Sequence, residues 1–137
     1  MSTAPVARHD VLAVDDLTRT QIVQYAGASG DFNPIHTDEV YATRAARRES
    51  VIAHGMLTMG IVGRVLTTVV DEDSIRAFGG RFTAPVLPGD SLHVTVEHDG
   101  ANIRLAARNQ DGTTVFTGYA TVAPRGTRPA VSGLFSS

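Results

Sequence analysis

The sequence predicts an α+β fold in a single domain, with one long buried helix wrapped by a curved antiparallel sheet. Three observations carry that prediction. From Gly55 to Val70 the chain is apolar on every side apart from Arg64, the mark of a helix enclosed on most sides. Further on, Leu92, Val94 and Val96 alternate with His93, Thr95 and Glu97, and Ile103, Leu105 and Ala107 alternate with Arg104, Ala106 and Arg108. That two-residue period belongs to half-buried strands. Asp99-Gly100 and Asp111-Gly112 are hairpin-type turn signals, so strands near 91–98, 102–109 and 114–122 should form an antiparallel meander.

The remaining elements follow in order. Val11 to Val14 suits a short edge strand, ended by Asp15-Asp16. Thr18 with Gln21 makes a capping-box pattern, and Ile22, Tyr25, Ala26 and Ser29 share one helical face. Gly30 stops that helix. Asn33 suits an N-cap and Pro34 the first position of a next short helix, because proline fixes its own φ and pushes the residue before it out of the α region. From Asp38 to about Arg48 the chain reads as a short polar helix with Val40 and Tyr41 inward, ending in Arg44, Arg47 and Arg48. Those cations fit a solvated helix C-terminus, or alternatively a landing patch for an acidic carrier protein or for the phosphates of coenzyme A. Within the long helix, about 24 Å at 1.5 Å per residue, Gly60, Gly63 and Thr67 form a small-residue stripe that another backbone can approach. Ile75 to Ala84 reads as a strand interrupted at Gly79-Gly80, where a bulge or a close approach to ligand is expected. Pro85, Pro88 and Gly89 make the connection to the meander.

Composition narrows the class. The chain has 137 residues, enough for one core and no second domain. Residues 1–123 read as that domain, and 124–137 as a flexible tail rich in chain breakers, from which Leu134-Phe135 could still dock. Twelve basic against fourteen acidic residues give a formal charge of −2. With no long basic block, nucleic acid is not an expected partner. Cysteine is absent, which excludes disulfides, thiolate metal sites and a cysteine nucleophile, and fits a cytoplasmic protein. The N-terminal residues lack an apolar core of signal-peptide length. The longest apolar run is shorter than the roughly 20 residues that span a bilayer, so no membrane insertion is expected.

Chemistry concentrates in Ser29-Gly30-Asp31-Phe32-Asn33-Pro34-Ile35-His36, followed by Ala53-His54-Gly55-Met56-Leu57. Asp31 leaves one helix and His36 enters another across a sharp bend, which lets carboxylate and imidazole face one small volume. In a first helical turn the positive end of the dipole favours a neutral imidazole, the form a general base requires. His54, directly before Gly55, reads as a structural residue that fixes the helix start through hydrogen bonds. A metal site of Asp31, His36 and His54 is conceivable on residue types alone, but none is assigned. His93 and His98 are expected to be exposed.

Ala28 to Asp38, Ala53 to Leu57 and Phe82-Thr83-Ala84-Pro85-Val86-Leu87-Pro88-Gly89-Asp90 together resemble the MaoC-like hotdog family of type-2 enoyl-thioester hydratases and dehydratases. The resemblance runs from about Leu17 to Val122 and is most specific in its first motif. It implies a hotdog fold and the interconversion of trans-2-enoyl and (R)-3-hydroxyacyl thioesters by syn addition or elimination of water. Asp31 and His36 match the family's catalytic pair. Gly55 matches the glycine whose backbone N–H polarises the thioester carbonyl. From the residues themselves, Asn33 as the N-cap and His54 as the helix-start residue are expected to support the pair.

The implied substrate is a thioester of coenzyme A or of an acyl carrier protein, with no metal or other cofactor. The implied assembly is a homodimer, or a heterodimer with another hotdog subunit. One position departs from the pattern, since Gly63 stands where several characterised hydratases carry a helix serine. In this respect Ala53 to Gly60 is similar to the catalytic subunits of actinobacterial acyl-carrier-protein dehydratases, which work as heterodimers. Thioester hydrolysis, another Michael-type addition, or a role as the acyl-binding subunit of a heterodimer are the alternative functions.

Overall fold

The computed structural model describes residues 7–124. Five strands form one sheet among these residues, in the order β1-β3-β4-β5-β2. They are β1 (Ala7–Val14), β2 (Ile75–Phe82), β3 (Leu92–Asp99), β4 (Asn102–Arg108) and β5 (Thr114–Val122). Every neighbouring pair is antiparallel. Helix α1 (Arg19–Ser29) precedes the site segment, and α2 (Gly55–Val69) crosses the sheet. The tail from residue 125 onward lies outside the described residues, and Leu134-Phe135 with it.

The period-two reading of the meander matches its burial. Leu92, Val94, Val96, Ile103, Leu105 and Ala107 are all buried, while His93, Arg104 and Arg108 are exposed. His98 is only half-buried, not exposed as the alternation suggested. The inner face packs on Ile61, Val62, Val65 and Leu66 of α2, together with Phe116 and Ala120 of β5. Each such side chain contributes on the order of 1.5–3 kcal/mol when fully buried. Gly100 and Gly112 adopt φ of 61° and 80°, a region open to glycine at little cost, which is why the two Asp-Gly pairs turn the chain. The edge strand predicted at Val11–Val14 begins earlier, at Ala7, and pairs along β3.

Three further expectations change. Helix α2 buries only one side in this chain, because Met56, Gly60, Arg64, Thr67 and Thr68 are exposed; its composition is apolar all round but the sheet covers a single face. Gly79-Gly80 carries no bulge, and the irregularity of β2 falls between Ile75 and Ala77 instead. What approaches these glycines is the neighbouring strand β5. A Cβ at Gly79 would meet the Tyr119 ring at 3.1 Å, and one at Gly80 would meet the Thr117 carbonyl and, at 2.5 Å, the buried Phe116 ring.

The third change concerns the segment after Asp38. It forms a single π-helical turn, Tyr41–Ala45, closed by Ala46 N–H to the Tyr41 carbonyl. Ala42 points inward, whereas Val40 and Tyr41 are exposed. Thr43 Oγ1 donates back to the Glu39 carbonyl at 2.8 Å, a competitor for regular helix, and Arg47 at φ 55° ends the turn. Arg44, Arg47 and Arg48 are exposed, and no acid pairs with them among the described residues.

Candidate active site

The predicted capping box starts α1. Gln21 N–H donates to Thr18 Oγ1 at 3.0 Å and Thr18 N–H to Gln21 Oε1 at 2.8 Å. Ile22 and Ala26 are buried and Tyr25 half-buried, which orients the helix, while Ser29 at its last turn stays exposed. Gly30 ends it at φ 77° with its N–H on the Ala26 carbonyl. Asp31 therefore leaves α1 at a set angle, held by its own N–H to Ser29 Oγ at 3.1 Å.

Two successive side-chain turns then bend the chain. Asn33 N–H donates to Asp31 Oδ1 at 3.2 Å, and Ile35 N–H donates to Asn33 Oδ1 at 3.0 Å. Asn33 is thus the N-cap and Pro34 the first residue of a 3₁₀ turn, Pro34–His36, as proline's fixed φ predicts. With Oδ1 engaged, the Asp31 Oδ2 faces His36 Nε2 at 3.8 Å.

His36 does not enter the first turn of a helix as expected. The helix is one turn long and His36 is its last residue, not an early one, so no positive helix end lies beneath the ring. A backbone acceptor fixes its tautomer instead. His36 Nδ1–H donates to the Ile52 carbonyl at 2.7 Å, because a carbonyl can only accept. In the neutral ring Nε2 then carries the lone pair, and it faces the Asp31 carboxylate.

Ile52 is positioned by the stretch 51–54, which threads between the Pro34–His36 turn and the 85–90 loop. Ile52 N–H donates to the Ile35 carbonyl at 3.2 Å and Ala53 N–H to the Val86 carbonyl at 2.8 Å. Asp90, buried, fastens that loop through Oδ2 to Leu87 N–H and Oδ1 to Gln110 Nε2, both at 2.9 Å. Glu39 accepts from Arg19 at 2.7 Å and from Val51 N–H at 3.4 Å, tying α1 to the same stretch. These bonds hold its carboxyl below the ordinary glutamate range, with the Arg19 hydrogen bond the largest cause.

His54 is buried, 2 % exposed. Its side chain makes no capping bond to α2, contrary to the expected helix-start role; only its backbone carbonyl accepts from Leu57 and Thr58. The ring turns the other way. Nε2–H donates to the Asp31 carbonyl at 3.0 Å, and the ring stacks on His36 with centroids 3.7 Å apart at 20°. Tyr25 braces it edge-on at 4.8 Å.

Donor atoms of Asp31, His36 and His54 lie within 4.8 Å of one another, close enough to raise the question of a metal. Their directions do not fit one. Stacked rings send their in-plane lone pairs side by side and not to a common point, one nitrogen of each ring is taken by a carbonyl, and His54 Nδ1 is sealed from solvent. An imidazole binds metal in its ring plane at about 2.0–2.1 Å.

Gly55 opens α2 beside His54, where the first N–H groups have no partner within the helix. A Cβ here would lie 2.8 Å from Phe82 Cε2, so glycine is what the ring of Phe82 permits. Gly63 faces Phe78 in the same way, at 3.1 Å, and a serine there would press on that ring. Beside Asp31 and the start of α2, Phe32, Met56 and Phe82 are exposed. Sequence reasoning missed the Ile52 carbonyl, which no residue type announces, and the bracing role of Tyr25, which was legible only as a helix-face position.

With this geometry in place, comparison with known proteins is informative. Residues 4–120 match the family model described as MaoC like domain. The 3-hydroxyacyl-thioester dehydratase Y of Mycobacterium tuberculosis is 33% identical over 111 residues, 77% of this chain and 38% of that protein. Fatty acid synthase beta subunit aflB of Emericella nidulans is 34% identical over 111 residues, 74% of this chain and 5% of that protein. The chain therefore spans well under half of either relative. Among solved structures, R-hydratase PhaJ1 from Pseudomonas aeruginosa matches with a TM-score of 0.69 and 29% identity, covering 90% of this chain and 82% of that one. The (R)-hydratase from A. caviae involved in PHA biosynthesis matches with a TM-score of 0.68 and 26% identity, covering 90% and 97%. A central helix on an antiparallel sheet, shared with these neighbours, is the hotdog fold.

Proposed function

Because this chain belongs to the MaoC-like dehydratase family, we propose that it is a hydro-lyase interconverting trans-2-enoyl and (R)-3-hydroxyacyl thioesters. The observation that carries this reading is the 3.8 Å gap between His36 Nε2 and Asp31 Oδ2. It is too long for a strong hydrogen bond between them, and each atom is free to bond a water placed alongside. His36 Nε2 accepts one proton of that water as its oxygen adds to C3 of the enoyl group. The C2–C3 π electrons move toward the thioester oxygen, giving an enolate, and a proton from the dyad returns to C2 on the same face. Such acid–base assistance typically contributes about 10²–10⁴-fold.

The N–H of Gly55, at the open first turn of α2, meets the enolate oxygen. A preorganised donor of this kind is worth roughly 3–4 kcal/mol. Asn33 and His54 support the dyad, the first by shaping the turn and the second by bonding the Asp31 backbone. Exposed Phe32, Met56 and Phe82 suit an acyl chain laid between α2 and a second hotdog subunit, identical or not. The catalytic unit is the single domain of residues 1–123. Its thiol carrier is coenzyme A or an acyl carrier protein, in the cytoplasm.

The test is hydration of a crotonyl thioester, followed by loss of enoyl absorbance, with chiral analysis of the 3-hydroxy product. Formation of the (R) product supports the reading. Release of free thiol with no hydration points to hydrolysis instead. Activity appearing only with a second hotdog subunit whose own dyad is required assigns this chain the acyl-binding role.

A further inference from the structure

His54 is a buried ionisable side chain at the site, 2 % exposed, that the proposed water addition does not use. It contacts both members of the dyad, the Asp31 backbone and the His36 ring face. From this geometry we propose that His54 is a positioning residue for the dyad, setting His36 through its ring face and Asp31 through its Nε2–H. The inference rests on the hydro-lyase reading for its kinetic consequence, but not for its structural one.

The contacts divide cleanly. The His36 ring has one hydrogen bond in its own plane, to Ile52 at 2.7 Å, and an uncovered ring would swing off that bond. Stacking on His54, 3.7 Å away and 20° from parallel, blocks the swing from one side. Tyr25 at 4.8 Å backs His54 from α1. The side chains form a column from α1 through the residue before α2 to the Pro34–His36 turn.

Asp31 is anchored differently. Its side chain is 54% exposed, so packing does not restrain it. Its carbonyl accepts from His54 Nε2 at 3.0 Å and its N–H donates to Ser29. The backbone is thereby held on both sides, and Asn33 N–H then directs the carboxylate.

The other His54 nitrogen supplies the chemical argument. Nδ1 is buried without a partner among the described residues. A buried lone pair with no donor is unfavourable, and a phenyl ring would fill the same space without it. Histidine is useful here because it combines a flat face with an N–H donor at its far edge. Phenylalanine supplies only the face, and glutamine only the donor.

The experiment uses His54→Phe, His54→Gln and His54→Ala in the full chain, with two readouts. In kinetics, His54→Ala should lower kcat by about 10–100-fold, the scale of a misplacement near 1 Å, while KM changes little. The Phe and Gln variants should each recover part of that loss. In ¹⁵N-histidine NMR, the wild-type His36 should show one fixed tautomer with a protonated Nδ1. His54→Ala and His54→Gln should average its two ring nitrogens, and His54→Phe should not.

The proposal is overturned if folded His54→Ala retains either kcat or the fixed His36 tautomer, or if a fourth variant, His54→Leu, which restores only packing, recovers kcat as well as Phe and Gln do. A wild-type chain that fails to hydrate any enoyl thioester defeats the functional reading instead. The NMR comparison still decides the role of His54. Should His54→Ala not fold, the contrast between Phe and Gln carries the same test.

Discussion

Asp31→Asn separates chemistry from stability more cleanly than any other change at the site. The aspartate side chain is 54% exposed and sits 3.8 Å from His36 Nε2, so no direct hydrogen bond is lost and no buried charge is left behind. Its one short-range duty, accepting Asn33 N–H at Oδ1, can be kept by the asparagine carbonyl. The expected stability change is therefore within about 0.5 kcal/mol, as for surface substitutions generally. Catalysis should respond on another scale. Removing an acid–base partner worth about 10²–10⁴-fold raises the barrier by roughly 3–5 kcal/mol. The assay is initial-rate hydration of a crotonyl thioester beside a thermal melt of the same preparation. Asp31→Asn retaining more than about a tenth of wild-type kcat would falsify the water-site assignment. Loss of activity that merely tracks unfolding would refute the stability half. His36→Ala is a poorer probe, because that side chain is only 11% exposed and also satisfies the Ile52 carbonyl.

Two further outcomes test the scaffold. Gly118→Ala places a Cβ 2.5 Å from the Gly79 carbonyl and 2.7 Å from the buried Phe116 ring; denaturant unfolding should show a loss of at least the roughly 1–3 kcal/mol typical of overpacking. In the same measurement Gly60→Ala, which meets nothing within 4 Å, should gain up to about 1 kcal/mol from helix propensity, and equal effects of the two would contradict the packing assigned to β2 and β5. Glu39 provides a pH test. Its carboxyl is held below the ordinary value of 4.5, so its contribution is present above that pH and fades as the pH falls through the lower folded-state value. Melting temperature followed from pH 7 into acid should therefore fall less steeply in Glu39→Gln than in wild type, and parallel curves would show that the Arg19 and Val51 bonds carry no linkage.

The sequence exposed much of this molecule because much of it is locally encoded. The Thr18 and Gln21 box, the Asn33-Pro34 turn and the glycines after Asp99 and Asp111 act over a few residues, so neighbouring side chains suffice to specify them. The meander was legible for a related reason. Burial of one sheet face imposes a two-residue period, and Leu92 to Val96 and Ile103 to Ala107 display it. Val40 and Tyr41 show where local encoding stops. Both were expected inward, yet the segment winds as a π turn whose small Ala42 faces the core, and one residue of phase decides which side chains are covered.

Sequence alone determined that Asp31 and His36 stand near each other, since the bend between them is built from their own neighbours. It also placed a long apolar helix directly after His54-Gly55. Tertiary structure decided how the site is poised. The His36 tautomer depends on a carbonyl 16 residues away, and the His54 bond to Asp31 spans 23. A backbone carbonyl is the same atom at every residue, so nothing in the letters at position 52 reveals that it would serve His36. Only closure of the chain, with stretch 51–54 pressed between the Pro34–His36 turn and the 85–90 loop, brings the acceptor and the stacked ring to the dyad.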